Sequence, residues 1–137
     1  MPELPELFLA HYEEIALDKD VIKLDPDWNK YLQLELHGIL HVMSVRDAAK
    51  LVGYHISVVS PHLHYKSTTT ALSDIFYLLP EYRQGWTGYK LFEETEKMLK
   101  ALGVKKFYNV TKAHLPINII MKRRGYRLVD KVYTKLL

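Results

Sequence analysis

Nine residues, Pro80 to Gly88, constrain the possible folds of this chain more than any other stretch. Their sequence is Pro-Glu-Tyr-Arg-Gln-Gly-Trp-Thr-Gly, after an apolar run over Ile75–Leu79 and before a segment with helical periodicity. This pattern predicts a strand, a turn that contains glycine, and the N-terminus of a helix. Such a turn offers backbone N–H groups at the positive end of a helix dipole, which suits a phosphate. An ordinary strand-to-helix connection has the same local pattern, so the rest of the chain has to decide.

Size and composition limit the class of protein. The 137 residues are most simply one domain, residues 1–137, with a helical segment over 1–36 and a sheet core over 38–137. Hydrophobic residues make up 48% and charged residues 26%, which is typical of a globular protein and argues against disorder. Cysteine is absent, which excludes disulfides and thiolate metal sites and favours a cytoplasmic location. No apolar run approaches the roughly 20 residues of a membrane span, and no signal peptide is expected.

Charge is distributed unevenly along the chain. Residues 1–36 carry nine acidic and three basic side chains, whereas residues 37–137 carry seven acidic and sixteen basic ones. An acidic first quarter suits a cationic substrate, and a basic remainder suits an anionic ligand. Solvated helix faces of either sign would produce the same distribution.

Hydrophobic periodicity predicts the element order α-α-β-β-β-α-β-α-β, in which the last strand is single or split in two. Helices are expected over residues 4–17, from Asp25 to Leu36, from the turn at Pro80–Gly88 (the central turn) to Gly103, and over 116–124. Strands are expected over 39–45, 50–59, 71–79, 106–111 and 126–137. The polar residues 60–70 are predicted to be the longest loop, and loops of that kind are commonly functional. This order indicates one α/β domain with a mixed sheet.

Three motifs in order along the chain resemble the GNAT superfamily, whose members move an acyl group from acyl-coenzyme A to an amine. The superfamily signature is Arg/Gln-x-x-Gly-x-Gly/Ala after a strand and Pro-x-Tyr, and this chain matches it at Pro80, Tyr82, Arg83 and Gly88. Leu51–Tyr54 resembles the superfamily's Leu-Val-Gly-Phe, and Ile120–Tyr126 resembles its Phe-Tyr-x-Lys-x-Gly-Phe ending. The resemblance covers about residues 38–137. The overall length and layout of the chain also resemble those of short phage or prophage members of the superfamily.

The resemblance implies a fold, a cosubstrate and a set of binding residues. The implied fold is α/β (α+β), with a central mixed, mostly antiparallel sheet flanked by about four helices. The implied cosubstrate is acetyl-coenzyme A, with no metal. The candidate coenzyme A contacts are the backbone of Tyr77, Leu78 and Leu79, the N–H groups of Gln84, Gly85, Trp86, Thr87 and Gly88, and the side chains of Arg83, Lys90 and Lys112. The same residues have ordinary structural interpretations as core, turn and surface.

Three positions depart from the superfamily pattern. Trp86 stands where the middle glycine of the signature is usual, and Gly85 is one position earlier. Met121 replaces the tyrosine that often protonates the leaving thiolate, and His114 replaces an asparagine. These departures raise the alternative of a catalytically inactive module that binds coenzyme A or a protein.

The reaction needs a base for the amine and a proton for the leaving sulfur. In the superfamily the base often lies on the strand before the phosphate turn, which makes Asp74 the candidate, expected to be buried in an apolar segment. A strand-end carboxylate that caps a turn is the competing interpretation. His62 and His64 are further candidates for bases or substrate contacts, or are solvated loop residues. Tyr126, Tyr108 and His114 are the candidate proton donors.

The partner implied by the resemblance is an amine of undetermined class: a polyamine, an aminoglycoside, a protein lysine or a modified base. A His-x-His pair alone supplies too few ligands for a metal. Nucleic-acid binding through Lys122–Arg124 and Arg127 is the least favoured hypothesis, because these cations also suit a helix C-terminus. No membrane partner is expected, and the chain is compatible with a monomer or a homodimer.

Overall fold

A computed structural model describes residues 3–114 and 117–137, and these ranges contain four α-helices and four strands. The helices are α1 (Leu4–Ile15), α2 (Trp28–Leu36), α3 (Thr87–Ala101) and α4 (Asn118–Arg123), and the strands are β1 (Leu40–Asp47), β2 (Lys50–His62), β3 (Tyr65–Leu78) and β4 (Lys106–Tyr108). A short 3-10 turn, Pro80–Tyr82, connects β3 to α3. The order of these elements agrees with the periodicity as far as α4. Leu115 and Pro116 lie outside the described residues, so the predicted start of the last helix at Pro116 does too.

The four strands form one sheet in the order β1-β2-β3-β4. The β1–β2 and β2–β3 pairs are antiparallel, with Val42 opposite Ile56 and Tyr54 opposite Tyr77. The β3–β4 pair is parallel, with Ala71 opposite Phe107. The predicted mixed, mostly antiparallel sheet with helices on its faces is therefore confirmed.

Helices cover both faces of the sheet because side chains alternate along each strand. Tyr54 and Ile56 of β2 point to the face covered by α1, whose Phe8 packs in the same buried cluster. His55, between them, points to the other face, where its ring contacts Phe92 of α3. The sheet is thus enclosed at its centre, and β2 supplies core residues to both layers.

The prediction of a long loop over residues 60–70 is wrong. The antiparallel ladder continues through Ser60 opposite Thr70 and closes at His62 opposite Tyr65. This end of the hairpin is mostly exposed, so it needs no apolar alternation to pair. Its β-branched threonines favour a strand once a partner is present. The loop is in fact a two-residue turn, Leu63–His64.

The predicted closing strands over residues 126–137 are also wrong. This segment has no strand, although Leu128, Val132 and Tyr133 favour one by composition. Tyr133 is 88% exposed, and the neighbouring apolar side chains are exposed too. Strand propensity depends on packing against a neighbour, and β4, with only three residues, offers this segment little edge to pair with.

Gly53→Ala is expected to lower the free energy of unfolding by about 1–3 kcal/mol, the typical cost of overpacking a core. A Cβ at Gly53 would lie 2.8 Å from the carbonyl oxygen of Tyr77 and 2.7 Å from Cδ1 of Leu78. Urea denaturation measures the loss. Gly88→Ala is the matched control, because its added Cβ meets only the mobile end of Ile120 and alanine favours a helix. Equal stabilities for the two variants would contradict the predicted clash.

Candidate functional site

β4 pairs with only part of β3. The two strands pair from Thr70 opposite Lys106 to Leu72 opposite Tyr108, where β4 ends, whereas β3 extends to Leu78. Beyond the last pair, the N–H of Val110 donates to the side-chain oxygen of Ser73 at 2.8 Å. The side chain thereby takes the place of the next backbone pair. A gap therefore opens along β3 just before the central turn.

A β-bulge lies at the start of this gap. On β2, Ile56 pairs with Ile75 and Ser57 pairs with Ser73, so Asp74 is an extra residue in β3. Bulges bend a strand and redirect its side chains, and they are common beside active sites. Asp74 is accordingly exposed, and the expectation that it is buried is wrong. It also lies within β3, several residues before the strand ends.

Tyr31 of α2 donates a hydrogen bond to Asp74, with Oη 3.3 Å from Oδ2. Burial, followed by the charge of Asp74, raises the pKa of Tyr31 to about 12. The phenol therefore stays protonated near neutral pH and remains a donor to the carboxylate. The sequence analysis gave Tyr31 no role beyond its place in the second helix, because its partner lies 43 residues away.

An open cleft of about 1680 Å³ passes from α1, through the gap beside β3, to α4 and the C-terminal segment. Its lining includes residues of α1, α2, β2, β3, β4, the loop after β4, α4 and the C-terminal segment: His11, Tyr31, Tyr54, Leu72, Ile75, Tyr108, Asn109, Lys112, His114, Met121 and Tyr126. Asp74 and the residues from Pro80 to Gly88 are not among the lining residues. Among the sequence candidates, Tyr126, Tyr108, His114 and Lys112 meet in this cleft. The gap between β3 and β4 thus connects the two faces of the sheet.

The turn after β3 has the conformation that the glycine pattern suggested. Gly85 has φ +75°, a value that favours glycine, whereas Trp86 has φ −103° and needs none. No side chain caps the N-terminus of α3. Gly88 lies close to α4, where an added Cβ would be 3.2 Å from Cδ1 of Ile120. The conformational need for glycine has therefore moved one residue ahead of the usual position.

Trp86 itself is 60% exposed and turned toward α4. Its ring meets that of Tyr89 edge-on at 5.4 Å, and the guanidinium of Arg123 lies 5.9 Å from its centroid. Lys90 is exposed in the first turn of α3. The aromatic ring and these cations surround the same helix N-terminus.

Arg83 is held by α1. Its Nη1 and Nη2 donate to Oε1 and Oε2 of Glu14, both at 2.6 Å, and its Nε donates to the carbonyl of Leu78 at 2.7 Å. The guanidinium also lies 5.3 Å from the centre of the Tyr77 ring. Hydrogen bonds from Arg83 hold the pKa of Glu14 below its usual range. This side chain therefore ties the turn to α1, an interaction that the sequence analysis missed.

The last residues of β3 are partly engaged within the protein. Tyr77 and Leu78 are buried, and Tyr77 donates its hydroxyl to Glu14 at 3.0 Å. The N–H of Leu79 donates to the carbonyl of Val52 at 2.9 Å. With the Leu78 carbonyl taken by Arg83, two backbone groups of this stretch already have protein partners.

His62 and His64 are not brought together with Asp74. They lie at the tip of the β2–β3 hairpin, where the N–H of His64 donates to Nδ1 of His62 at 3.1 Å. The strand from Tyr65 to Asp74 spans about 30 Å at the usual rise per residue. In the described residues there is no cluster of three or more His, Asp or Glu side chains that could hold a metal ion.

The sequence analysis did not identify two buried histidines, His55 and His11. His55 is fully buried, with Nε2 3.1 Å from Oδ1 of Asn109 and Nδ1 3.1 Å from the hydroxyl of Ser57. His11 lines the cleft, with Nδ1 2.6 Å from the hydroxyl of Tyr54. Burial lowers the pKa of each imidazole to about 4. The one available signal was the spacing of His11 and Glu14, three residues apart on an apolar helix.

Several solved structures with the same fold are named as acetyltransferases. An aminoglycoside acetyltransferase from an uncultured soil metagenomic sample, crystallised with sisomicin, superposes with a TM-score of 0.72 at 17% identity, over 98% of this chain and 87% of the other. A ribosomal-protein-alanine N-acetyltransferase from Brucella melitensis biovar Abortus 2308 gives 0.69 at 15% identity, over 98% and 91%. The chain has the GNAT acetyltransferase fold.

The same fold is found in glucosamine-6-phosphate N-acetyltransferase from Arabidopsis thaliana, with a TM-score of 0.68 at 10% identity over 79% of this chain and 74% of that one. No family model matches the sequence, and no curated protein sequence matches it. The GNAT fold predicted from the three motifs is therefore confirmed by structure. Nothing in these similarities supports the resemblance to phage members. No helix among residues 3–114 and 117–137 is long and apolar enough to cross a membrane.

Proposed function

We propose that this protein is an N-acyltransferase that moves an acetyl group from acetyl-coenzyme A to an amine by direct attack in a ternary complex. The observation that carries the proposal is the gap between β3 and β4, directly before the turn that begins α3. A cosubstrate held at that turn can pass its thioester through the gap toward the α1 face. The acetyltransferase function of the solved structures with this fold supports the assignment.

The turn and the cations around it suit the pyrophosphate of coenzyme A. In this proposal the backbone N–H groups of Gln84 to Gly88 bind the phosphate oxygens, at the uncapped N-terminus of α3. Lys90 remains the candidate cation for the adenosine end, whereas Lys112 lines the cleft close enough to act on His11, on the acceptor side. The guanidinium of Arg83 is bound to Glu14, so its role is to hold the turn in place rather than to neutralise phosphate.

The proposed reaction uses Asp74 of β3 as the base and Tyr126 of the C-terminal segment as the acid. Asp74 takes a proton from the substrate ammonium, and the neutral amine attacks the thioester carbonyl. The C–N bond forms, the nitrogen loses its second proton to solvent, and the C–S bond breaks. Tyr126, half-buried in the cleft, gives its proton to the leaving thiolate and regains one from solvent. Burial raises the pKa of Tyr126, which keeps the phenol protonated before the reaction.

The acceptor side is formed by α1, α2 and the segment between them. This region carries most of the chain's acidic side chains, which favours a cationic amine. The solved structures with this fold include enzymes named for aminoglycosides, a protein alanine and an amino-sugar phosphate. All of these acceptors present an amine. A cytoplasmic location, a single domain and a monomer or homodimer remain predictions.

Calorimetry with acetyl-coenzyme A tests the proposal, and Gly88→Val is expected to weaken binding about tenfold, a loss of about 1.4 kcal/mol. The branched side chain would stand at the N-terminus of α3, where the phosphate approaches the backbone. Ala101→Val, at the other end of α3, is the matched control and is expected to bind normally. Absence of binding to the unmodified protein at millimolar acetyl-coenzyme A would refute the proposed function. Binding without turnover of any amine would instead favour the inactive module.

A further inference from the structure

His11 occupies the wall of the cleft on the α1 face. Its side chain is largely buried, at 7% exposure, and its ring stacks on that of Tyr77 with centroids 4.7 Å apart and planes 18° apart. Its Nδ1 lies 2.6 Å from the hydroxyl of Tyr54. Two aromatic residues of the sheet therefore fix both the plane and the rotation of this imidazole.

The hydrogen-bonding requirement of Tyr54 decides which ring nitrogen of His11 carries the proton. Tyr54 is fully buried, and among the described residues its hydroxyl bonds only to His11 Nδ1. A buried O–H left without an acceptor carries a full desolvation penalty, so the hydroxyl donates and Nδ1 accepts. Because burial lowers the pKa of His11 to about 4, the ring is neutral near pH 7. Its single ring proton is therefore on Nε2.

The Nε2–H group of His11 is a donor without a protein partner. Within the part of the chain that the structure describes, no hydrogen bond to this nitrogen occurs, and it is not among the buried polar atoms left without a partner. It therefore retains access to the cleft that His11 lines. The charged groups that act on the imidazole are Glu14, Lys112 and Arg83, and Glu14 is already bonded to Arg83.

The candidate base lies nearby. The ring of Phe8 contacts that of Tyr54 at 5.1 Å and that of Tyr31 at 5.9 Å, and Tyr31 is the donor to Asp74. Asp74 also acts electrostatically on the Tyr54 hydroxyl that bonds His11, so His11 and Asp74 lie on the same face of the sheet, although Asp74 is not among the residues that line the cleft. An acceptor whose amine is at Asp74 would place its neighbouring atoms toward His11.

We propose that His11 determines acceptor specificity, its Nε2–H donating a hydrogen bond to an oxygen atom of the acceptor. The acceptor class is then an amine with a hydroxyl, ether or carbonyl oxygen close to the nitrogen. This inference rests on the proposed acyl transfer. The ammonium groups of an alkyl polyamine are hydrogen-bond donors. Such a substrate has no acceptor for the Nε2–H of His11, which would stay unpaired. Sites that hydrogen-bond a substrate oxygen discriminate strongly against analogues that lack it.

A matched pair of amines tests the inference: trans-2-aminocyclohexanol and cyclohexylamine, which differ by one hydroxyl group. The wild-type protein with acetyl-coenzyme A is expected to favour the amino alcohol by tenfold or more in kcat/KM, about 1.4 kcal/mol. His11→Phe keeps a ring against Tyr77 but lacks the donor, and its preference should fall to about one. His37→Phe, an exposed histidine outside the cleft, should keep the wild-type preference. Equal preferences in the wild type and His11→Phe would overturn the inference.

Nitrogen NMR of the labelled imidazole provides a readout independent of turnover. A proton on Nε2 is expected, and a proton on Nδ1 would overturn the inference. If acetyl-coenzyme A binds and both amines react equally, the specificity assignment fails while the proposed function stands. If acetyl-coenzyme A does not bind, the proposed function fails, and titration with the amino alcohol then decides: a shift of the His11 Nε2 resonance supports the contact, and no shift refutes it.

Discussion

Acidification from pH 6.5 to pH 4 is expected to remove about 3 kcal/mol of stability for each of the two buried histidines. Burial lowers the pKa of His11 and of His55 from 6.5 to about 4 in the folded protein. Between these values the unfolded chain binds protons that the folded chain does not, so stability rises with pH. It is fully present above pH 6.5 and is lost as the pH falls toward 4. Since domains are typically stable by only about 5–15 kcal/mol, the protein should approach unfolding at the acidic limit.

Urea denaturation at pH 7, 5.5 and 4 measures this dependence. His55→Gln removes one titrating group while keeping a donor toward Asn109, so its stability should vary less with pH even if it is lower throughout. His37→Gln, at an exposed position, is the control and should retain the wild-type slope. Glu14, whose pKa Arg83 holds below 4.5, begins to add its own loss as the pH falls below about 4.5, and it does so equally in the wild type and both variants. Identical slopes for His55→Gln and the wild type would contradict the assignment.

Asp74→Asn is expected to lower kcat by about a hundred- to ten-thousand-fold, the range for loss of a general base. The amide has the shape of the carboxylate and still accepts a hydrogen bond from Tyr31, but it cannot take the ammonium proton. The residual rate should rise with pH, because more of the amine is then neutral in solution. Steady-state kinetics across pH 7 to 10 provides this profile.

Two comparisons separate a chemical role of Asp74 from a structural one. Calorimetry should show that Asp74→Asn binds acetyl-coenzyme A as the wild type does. Tyr31→Phe removes the hydrogen bond to the carboxylate while leaving the base, and we expect a loss of only about tenfold, or roughly 1.4 kcal/mol. A variant Asp74→Asn with wild-type kcat would show that another residue is the base.

The strand-turn-helix conformation around Pro80–Gly88 could be predicted from sequence because its determinants are neighbours along the chain. Gly85 adopts a positive φ just before α3, and Gly88 allows close approach to α4. The pairing of Arg83 with Glu14 had no such local signal, because the two residues are 69 positions apart in the chain. Charge complementarity at that separation leaves no periodic signal in the sequence.

The exposure of Asp74 is another feature that the sequence did not predict. The position before the turn was inferred from the resemblance, and the strand itself from its apolar run. The exposure of the carboxylate follows from a bulge, which depends on how β2 and β3 register against each other. Register is a property of two strands together, so one strand's sequence did not predict it.

The sequence by itself determined the order of the elements as far as α4 and the turn at Pro80–Gly88, because periodicity, glycine and proline act within a few residues. The GNAT fold followed from the resemblance of three short motifs to that superfamily. Tertiary structure alone decided the gap between β3 and β4, the pairing of His11 with Tyr54, and the extension of the hairpin through residues 60–70. It also left residues 126–137 without a strand partner, despite their β-forming composition. Each of these features joins residues far apart in the chain, and such contacts depend on burial and register rather than on local propensity.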